Sequence, residues 1–93
     1  MRLTTEEKTI LCQTVQRADA EADTYLFGSR VDDQALGGDI DVLVLSKRID
    51  ILGKLDILAT LHQALGDRKI DLVVLTDASQ PFAQMAMQQG IRL

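Results

Sequence analysis

Two six-residue apolar runs, Ile40–Leu45 and Ile70–Leu75, constrain the fold of this chain most, and a single aspartate interrupts each of them. Such runs are typical of strands that are covered on both faces. Between them, residues 51–65 have apolar residues at helical spacing, with Asp50 as the predicted N-cap and Gly66 as the predicted stop. Because a full helix connects the two strands, we predict that they are parallel and joined by a right-handed crossover.

The rest of the chain predicts three more elements. Residues 4–20 form a helix that opens with a Thr-x-x-Glu capping box, and Thr24–Phe27 is a short strand rich in β-formers. A last helix begins near Pro81 and ends at Gly90. Because only a loop links the first two strands, we expect them to be antiparallel. The fold class is therefore α/β (α+β), a small mixed β-sheet packed with helices in the order α-β-loop-β-α-β-α.

Helical spacing also predicts which residues of the last two helices face the core. In the helix over residues 51–65 the predicted inward residues are Leu52, Leu55, Leu58, Ala59, His62 and Leu65. In the last helix they are Phe82, Met85 and Ala86.

Length and charge limit the classes of protein to which the chain can belong. Its 93 residues suit a single domain, 1–93, whose small aliphatic core would gain from a homo- or hetero-oligomeric partner. A net charge of −4 argues against a protein that grips duplex DNA. The single cysteine, Cys12, excludes an internal disulfide. The first residues are polar and no apolar run reaches the ~20 residues that cross a bilayer, so we expect a cytoplasmic protein and no membrane partner.

Three aspartates break the rules of core design. Asp39 and Asp41 lie two residues apart at the mouth of the second strand, so both carboxylates share one face while Ile40 points into the core. Asp71 occupies the same position in the third strand. Like charges this close repel, and a hard divalent cation such as Mg²⁺ removes the conflict. The alternatives are a turn role for Asp39 and an ion pair between Asp71 and Arg68 or Lys69.

The predicted topology brings these carboxylates to one edge of the sheet. In parallel neighbours, the N-terminal ends of the second and third strands lie side by side. The C-terminal end of an antiparallel first strand reaches the same edge, and it is followed by Gly28-Ser29. Glycine lets the backbone approach a phosphate closely, and the serine hydroxyl and nearby N–H groups can bind its oxygens.

The stretch Leu26-Phe27-Gly28-Ser29-Arg30, followed by Gly38-Asp39-Ile40-Asp41-Val42-Leu43-Val44, resembles the signature of the polymerase-beta-type nucleotidyltransferase superfamily. The short length and the element order resemble its smallest branch, the minimal nucleotidyltransferases (MNT), which are often the antitoxins of HEPN–MNT toxin–antitoxin pairs. The chain departs from the usual pattern at Asp32-Asp33, where a glycine and a basic residue are common.

The resemblance implies a role for each of six residues. The metal ligands and catalytic carboxylates would be Asp39, Asp41 and Asp71, which together hold Mg²⁺, as two ions. The nucleotide-binding residues would be Gly28, Ser29 and Arg30, which hold the phosphates of ATP.

The implied function is transfer of a nucleoside monophosphate, AMP from ATP, to a hydroxyl of a HEPN-type toxin protein. Three other functions stay open on the residues alone. One is a catalytically inactive module that neutralises a toxin by contact, which the altered loop at Asp32-Asp33 favours. Another is a small-molecule nucleotidyltransferase of the aminoglycoside type. The last is an unrelated small α/β domain with accidental aspartates.

Overall fold

The computed structural model describes residues 3–27, 40–66 and 69–93. Within those ranges the elements in chain order are α1 (Thr5–Ala18), β1 (Asp23–Phe27), β2 (Ile40–Leu45), α2 (Ile51–Leu65), β3 (Ile70–Leu75), α3 (Pro81–Gln89) and β4 (Ile91–Arg92). The sheet has four strands in the order β3-β2-β1-β4. No helix in these ranges has the length and apolar character that crossing a membrane requires.

The strand pairings confirm the predicted directions of the first three strands. β2 and β3 are parallel and in register from Ile40 beside Ile70 to Leu45 beside Leu75. β1 is antiparallel to β2, with Asp23 beside Leu45 at one end of the ladder. The sequence did not predict β4, a two-residue strand that pairs with the free edge of β1.

Both faces of the sheet are covered, as the apolar runs predict. On one face, residues of β2 such as Val42 and Val44 pack against α1 and α2 in the larger core cluster. On the other face, Leu43 packs with Ala83 and Ala86 of α3 in a smaller cluster. All three of these β2 residues are completely buried.

Side-chain caps define the helix ends where the sequence predicts them. The Thr4 hydroxyl accepts a 3.1 Å hydrogen bond from the Glu7 N–H, and the Glu7 side chain accepts one from the Thr4 N–H, which completes the capping box of α1. Asp50 caps α2 by accepting a 2.8 Å bond from the Gly53 N–H. Gly66 ends α2 with a φ of 81°, a left-handed conformation that favours glycine.

The predicted inward faces of α2 and α3 are partly wrong. The fully buried residues of α2 are Ile57 and Leu61, whereas Leu52 is 70% exposed and Leu55 is 56% exposed. Ala59 and His62 are exposed as well, while Leu58 and Leu65 pack against the core as predicted. The helix contacts α1 and β3 through a line of residues that the helical spacing of its apolar residues did not identify.

In α3 the buried residues are Ala83 and Ala86, so the prediction is confirmed for Ala86 only. Phe82 is 40% exposed, and Met85 is half-buried. Because the helix lies close against the sheet, two alanines fill the contact and the larger side chains stay at its flanks.

Candidate active site

Asp41 and Asp71 lie side by side at one edge of the sheet. Each is the second residue of its strand, and the parallel register of β2 and β3 pairs the two directly. Neighbouring strands are about 4.8 Å apart, so the two carboxylates project from adjacent backbone positions. The predicted convergence of these two aspartates is confirmed.

Both side chains belong to the face of the sheet that α3 covers. Ile40 and Val42, the neighbours of Asp41, are buried in the cluster on the α1/α2 face. The alternation of side chains along a strand therefore places Asp41 on the same face as Leu43, which packs with α3. Asp41 is half-buried and Asp71 is exposed, so the pair opens to solvent at the end of this packed face.

The end of β1 reaches the same edge. Phe27, its last residue, pairs with Asp41 in the antiparallel register. The chain therefore enters the segment 28–39 beside Asp41 and returns from it one residue before Asp41, at Ile40. Four predicted site residues, Gly28, Ser29, Arg30 and Asp39, lie outside the described residues.

The chemistry of the pair fits a hard divalent cation. Carboxylate oxygens are the ligands that Mg²⁺ prefers, and a Mg²⁺ site commonly takes only one or two protein carboxylates, with waters and substrate phosphates completing its shell. Asp71 makes no hydrogen bond or ion pair with any described residue, Lys69 included, so its predicted alternative partner is absent in this part of the chain. Arg68 lies outside the described residues.

No group of three or more metal-ligating side chains occurs within residues 3–27, 40–66 and 69–93. Asp41 and Asp71 are two members of the predicted set of three, and the third, Asp39, is not among those residues.

A third carboxylate, that of Asp19, is buried at the opposite end of β2, and the sequence did not predict it. It accepts hydrogen bonds from the Ser46 hydroxyl, at 2.6 Å, and from the Glu21 N–H, at 3.0 Å. The Ser46 oxygen in turn accepts bonds from the N–H groups of Arg48 and Ile49. These bonds join the turn after α1 to the turn before α2.

The hydrogen bond from Ser46 is the largest cause that lowers the pKa of Asp19 below its ordinary value, and the bond from the Glu21 N–H adds to it. Asp19 is 6% exposed and satisfied by its neighbours. We therefore assign it to the stability of the fold and not to the site at the other edge. The signal available in the sequence is only an aspartate after a helix, which is common in turns.

Comparison with known proteins agrees with this geometry. Residues 9–93 match the model of the family described as polymerase beta, nucleotidyltransferase. No curated protein matches the sequence at a significant level.

Among solved structures, the chain is similar to one in the complex of the tri-AMPylated Shewanella oneidensis HEPN toxin with its MNT antitoxin, with 26% identity, a TM-score of 0.71, and coverage of 97% of this chain and 71% of that chain. It is also similar to a chain of the MntA–HepT toxin–antitoxin structure, with 25% identity, a TM-score of 0.70, and coverage of 96% and 70%. A chain in a mutant MntA–HpeT structure gives 30% identity, a TM-score of 0.66, and coverage of 97% and 71%.

The family match covers residues 9–93, and the three structural matches cover 96–97% of the chain. The mixed sheet with paired aspartates at the N-terminal ends of two parallel strands is consistent with that fold. The chain belongs to the polymerase beta nucleotidyltransferase family.

Proposed function

We propose that this chain is a single-domain, Mg²⁺-dependent nucleotidyltransferase, residues 1–93, that transfers AMP from ATP to a hydroxyl of a HEPN-type partner protein. The observation that carries the proposal is the direct pairing of Asp41 with Asp71 across parallel strands. The family match supports the nucleotidyl transfer. The toxin in one similar structure is tri-AMPylated and bound to an MNT antitoxin, which supports AMP as the group transferred and a protein as the acceptor.

The residues proposed to hold the metal are Asp39, Asp41 and Asp71. Divalent ions bound there, two in number, would neutralise the nucleotide phosphates and favour ionisation of the acceptor hydroxyl. The protein's part is to fix carboxylates at a solvent-open edge where nucleotide and acceptor can both approach. The reaction is attack of the acceptor oxygen on the α-phosphorus, with pyrophosphate as the leaving group.

The residues proposed to bind the phosphates are Gly28, Ser29 and Arg30. They follow directly after Phe27, whose backbone lies beside Asp41. A phosphate held by backbone N–H groups and a serine hydroxyl at the start of that segment would be next to the carboxylates. Arg30 would add a charge-assisted contact.

The test is incubation of the purified chain with α-³²P-ATP and Mg²⁺, with and without a HEPN-type candidate partner protein. We expect label on the partner that requires Mg²⁺ and disappears in Asp41→Asn and in Asp71→Asn. Asp56→Asn is the matched control, because it removes an exposed carboxylate from α2, on the other face of the sheet. Its labelling should equal that of the unchanged chain.

Two results would contradict the proposal. Label that persists in both site variants would show that these carboxylates are not the metal ligands. Absence of label, together with tight partner binding that neither substitution weakens, would show that the chain acts on its partner by contact alone.

A further inference from the structure

The few aromatic residues of this chain lie together. The sequence has one tyrosine, two phenylalanines and no tryptophan. Tyr25 and Phe27 are both buried in the cluster on the α3 face of the sheet. The ring of Phe82, in the first turn of α3, packs edge-to-face on that of Phe27, with centroids 5.4 Å apart and planes at 89°. All three aromatics thus belong to the face that carries Asp41 and Asp71.

Phe27 and Phe82 differ in exposure. Phe27 is 9% exposed, whereas Phe82 is 40% exposed, although it lies in a helix whose neighbouring residue Ala83 is completely buried. The buried ring of Phe27 therefore packs against the ring of Phe82, which is partly open to solvent. Ring pairs in this T-shaped arrangement attract each other beyond simple burial of area, so the contact with Phe27 favours the observed orientation of Phe82.

The exposed ring is close to the paired carboxylates. Phe27 is the register partner of Asp41, and directly opposed residues in an antiparallel pair have Cβ atoms about 5 Å apart. Phe82 contacts Phe27 in turn, so one side chain separates it from the acidic edge. A nucleotide whose phosphates lie at the carboxylates would extend its sugar and base over a distance comparable to the one that separates those carboxylates from Phe82.

We propose that Phe82 is the platform on which the base of the donor nucleotide stacks. The proposal rests on the proposed function, because it requires a nucleotide bound at Asp41 and Asp71. A phenylalanine ring recognises any base through its π-face and reads no hydrogen-bonding edge, so it binds the base without selecting adenine over guanine. Phe82 is a binding residue and takes no part in the transfer of the phosphoryl group.

The first measurement is the affinity of the unchanged chain and of Phe82→Leu for MgATP, MgGTP and Mg-tripolyphosphate. Leucine keeps the apolar bulk against Phe27 but has no π-face. Loss of one stacked base weakens binding by about 5- to 150-fold. We expect a loss in this range for both nucleotides and no change for tripolyphosphate, which has no base. Leu52→Ala, which changes an exposed apolar residue of α2, should alter none of the three affinities.

A second variant guards against misfolding. Phe82→Trp keeps an aromatic platform and introduces the only tryptophan of the chain. We expect it to bind MgATP as well as the unchanged chain does, and its fluorescence to respond to MgATP but not to Mg-tripolyphosphate.

Several results would overturn the assignment. Equal losses for MgATP and tripolyphosphate in Phe82→Leu would mean that the substitution disturbs the phosphate site. A loss confined to MgATP would indicate reading of the adenine edge and not stacking. Unchanged nucleotide affinity with slower labelling of the partner would place Phe82 against the acceptor.

The same binding measurements distinguish failure of the stacking role from failure of the proposed function. If Asp41→Asn abolishes Mg²⁺-dependent ATP binding while Phe82→Leu leaves it intact, the stacking role is refuted and the transferase function stands. If the unchanged chain binds no nucleotide, both are refuted.

Discussion

The two faces of α2 should respond very differently to the same substitution, leucine to alanine. Leu61 is completely buried in the larger core cluster, between α1 and the sheet, whereas Leu52 is 70% exposed on the same helix. We expect Leu61→Ala to lower the free energy of unfolding by about 2–5 kcal/mol, because it removes buried methyl groups and leaves a cavity. Leu52→Ala should change it by about 0.5 kcal/mol or less, as is usual for surface positions.

These magnitudes are large against the total stability of a small domain. A chain of this size commonly has a free energy of unfolding of only ~5–10 kcal/mol, so Leu61→Ala would remove about a fifth or more of it. A loss of 1 kcal/mol lowers the melting temperature of such a domain by about 4–8 °C. The substitution should therefore lower it by roughly 8 °C at the least, while Leu52→Ala leaves it nearly unchanged.

Urea unfolding followed by circular dichroism measures both variants. We expect a lower midpoint for Leu61→Ala with an unchanged slope, which indicates that the unfolded and native states expose the same surface as before. The substitutions are matched in chemistry and helix, so differences in helix propensity cancel. If the two variants lost equal stability, or if Leu52→Ala lost more, the helix would be rotated relative to the face described above.

Three further predictions concern the fold. Thr4→Ala removes one half of the capping box of α1 and should cost about 1 kcal/mol, measured by urea unfolding. Because the pKa of Asp19 is lowered in the folded state, its contribution to stability is complete above the unfolded carboxyl pKa of about 3.9 and is lost as the pH falls through the folded value. Ser46→Ala should therefore be less stable than the unchanged chain at pH 7 and should lose less stability between pH 7 and pH 3. An unchanged dependence of stability on pH would contradict this role of Ser46. Gly90→Ala should lower the free energy of unfolding by about 1–3 kcal/mol and detach β4 from β1, since an added Cβ would collide with two backbone carbonyl oxygens. Hydrogen exchange measures this, as loss of protection of the β4 amides.

The strands and their directions could be predicted from the sequence because one physical argument determines them. Apolar runs as short as Ile40–Leu45 and Ile70–Leu75 bury both of their faces only inside a sheet that helices cover. A helix between them leaves little choice but a parallel pairing. The structure has both strands at the predicted bounds and in parallel register.

The inward face of α2 could not be predicted, because its leucines and isoleucines spread over more than half of the helix circumference. Its first half contains Ile51, Leu52, Leu55, Ile57 and Leu58, which do not form one stripe at helical spacing. Which of them is buried depends on how the helix lies against α1 and β3, a tertiary property that periodicity does not contain. The short strand β4 is similar: two residues have no pattern of their own, and only the free edge of β1 makes them a strand.

The juxtaposition of Asp41 and Asp71, the two described residues of the proposed site, was predictable for the same reason that the strands were. A slip of one residue between β2 and β3 would turn every side chain of β3 to the opposite face. Asp71 would then face the cluster around Val42, in which an unpaired carboxylate is costly, and the buried Ile70 and Leu72 would lose their apolar neighbours. The register that best buries the apolar residues is thus the one that sets Asp71 beside Asp41. The hydrophobic core determines this juxtaposition, and a metal is not needed to create it, so the two carboxylates are already adjacent before the proposed cation and nucleotide bind.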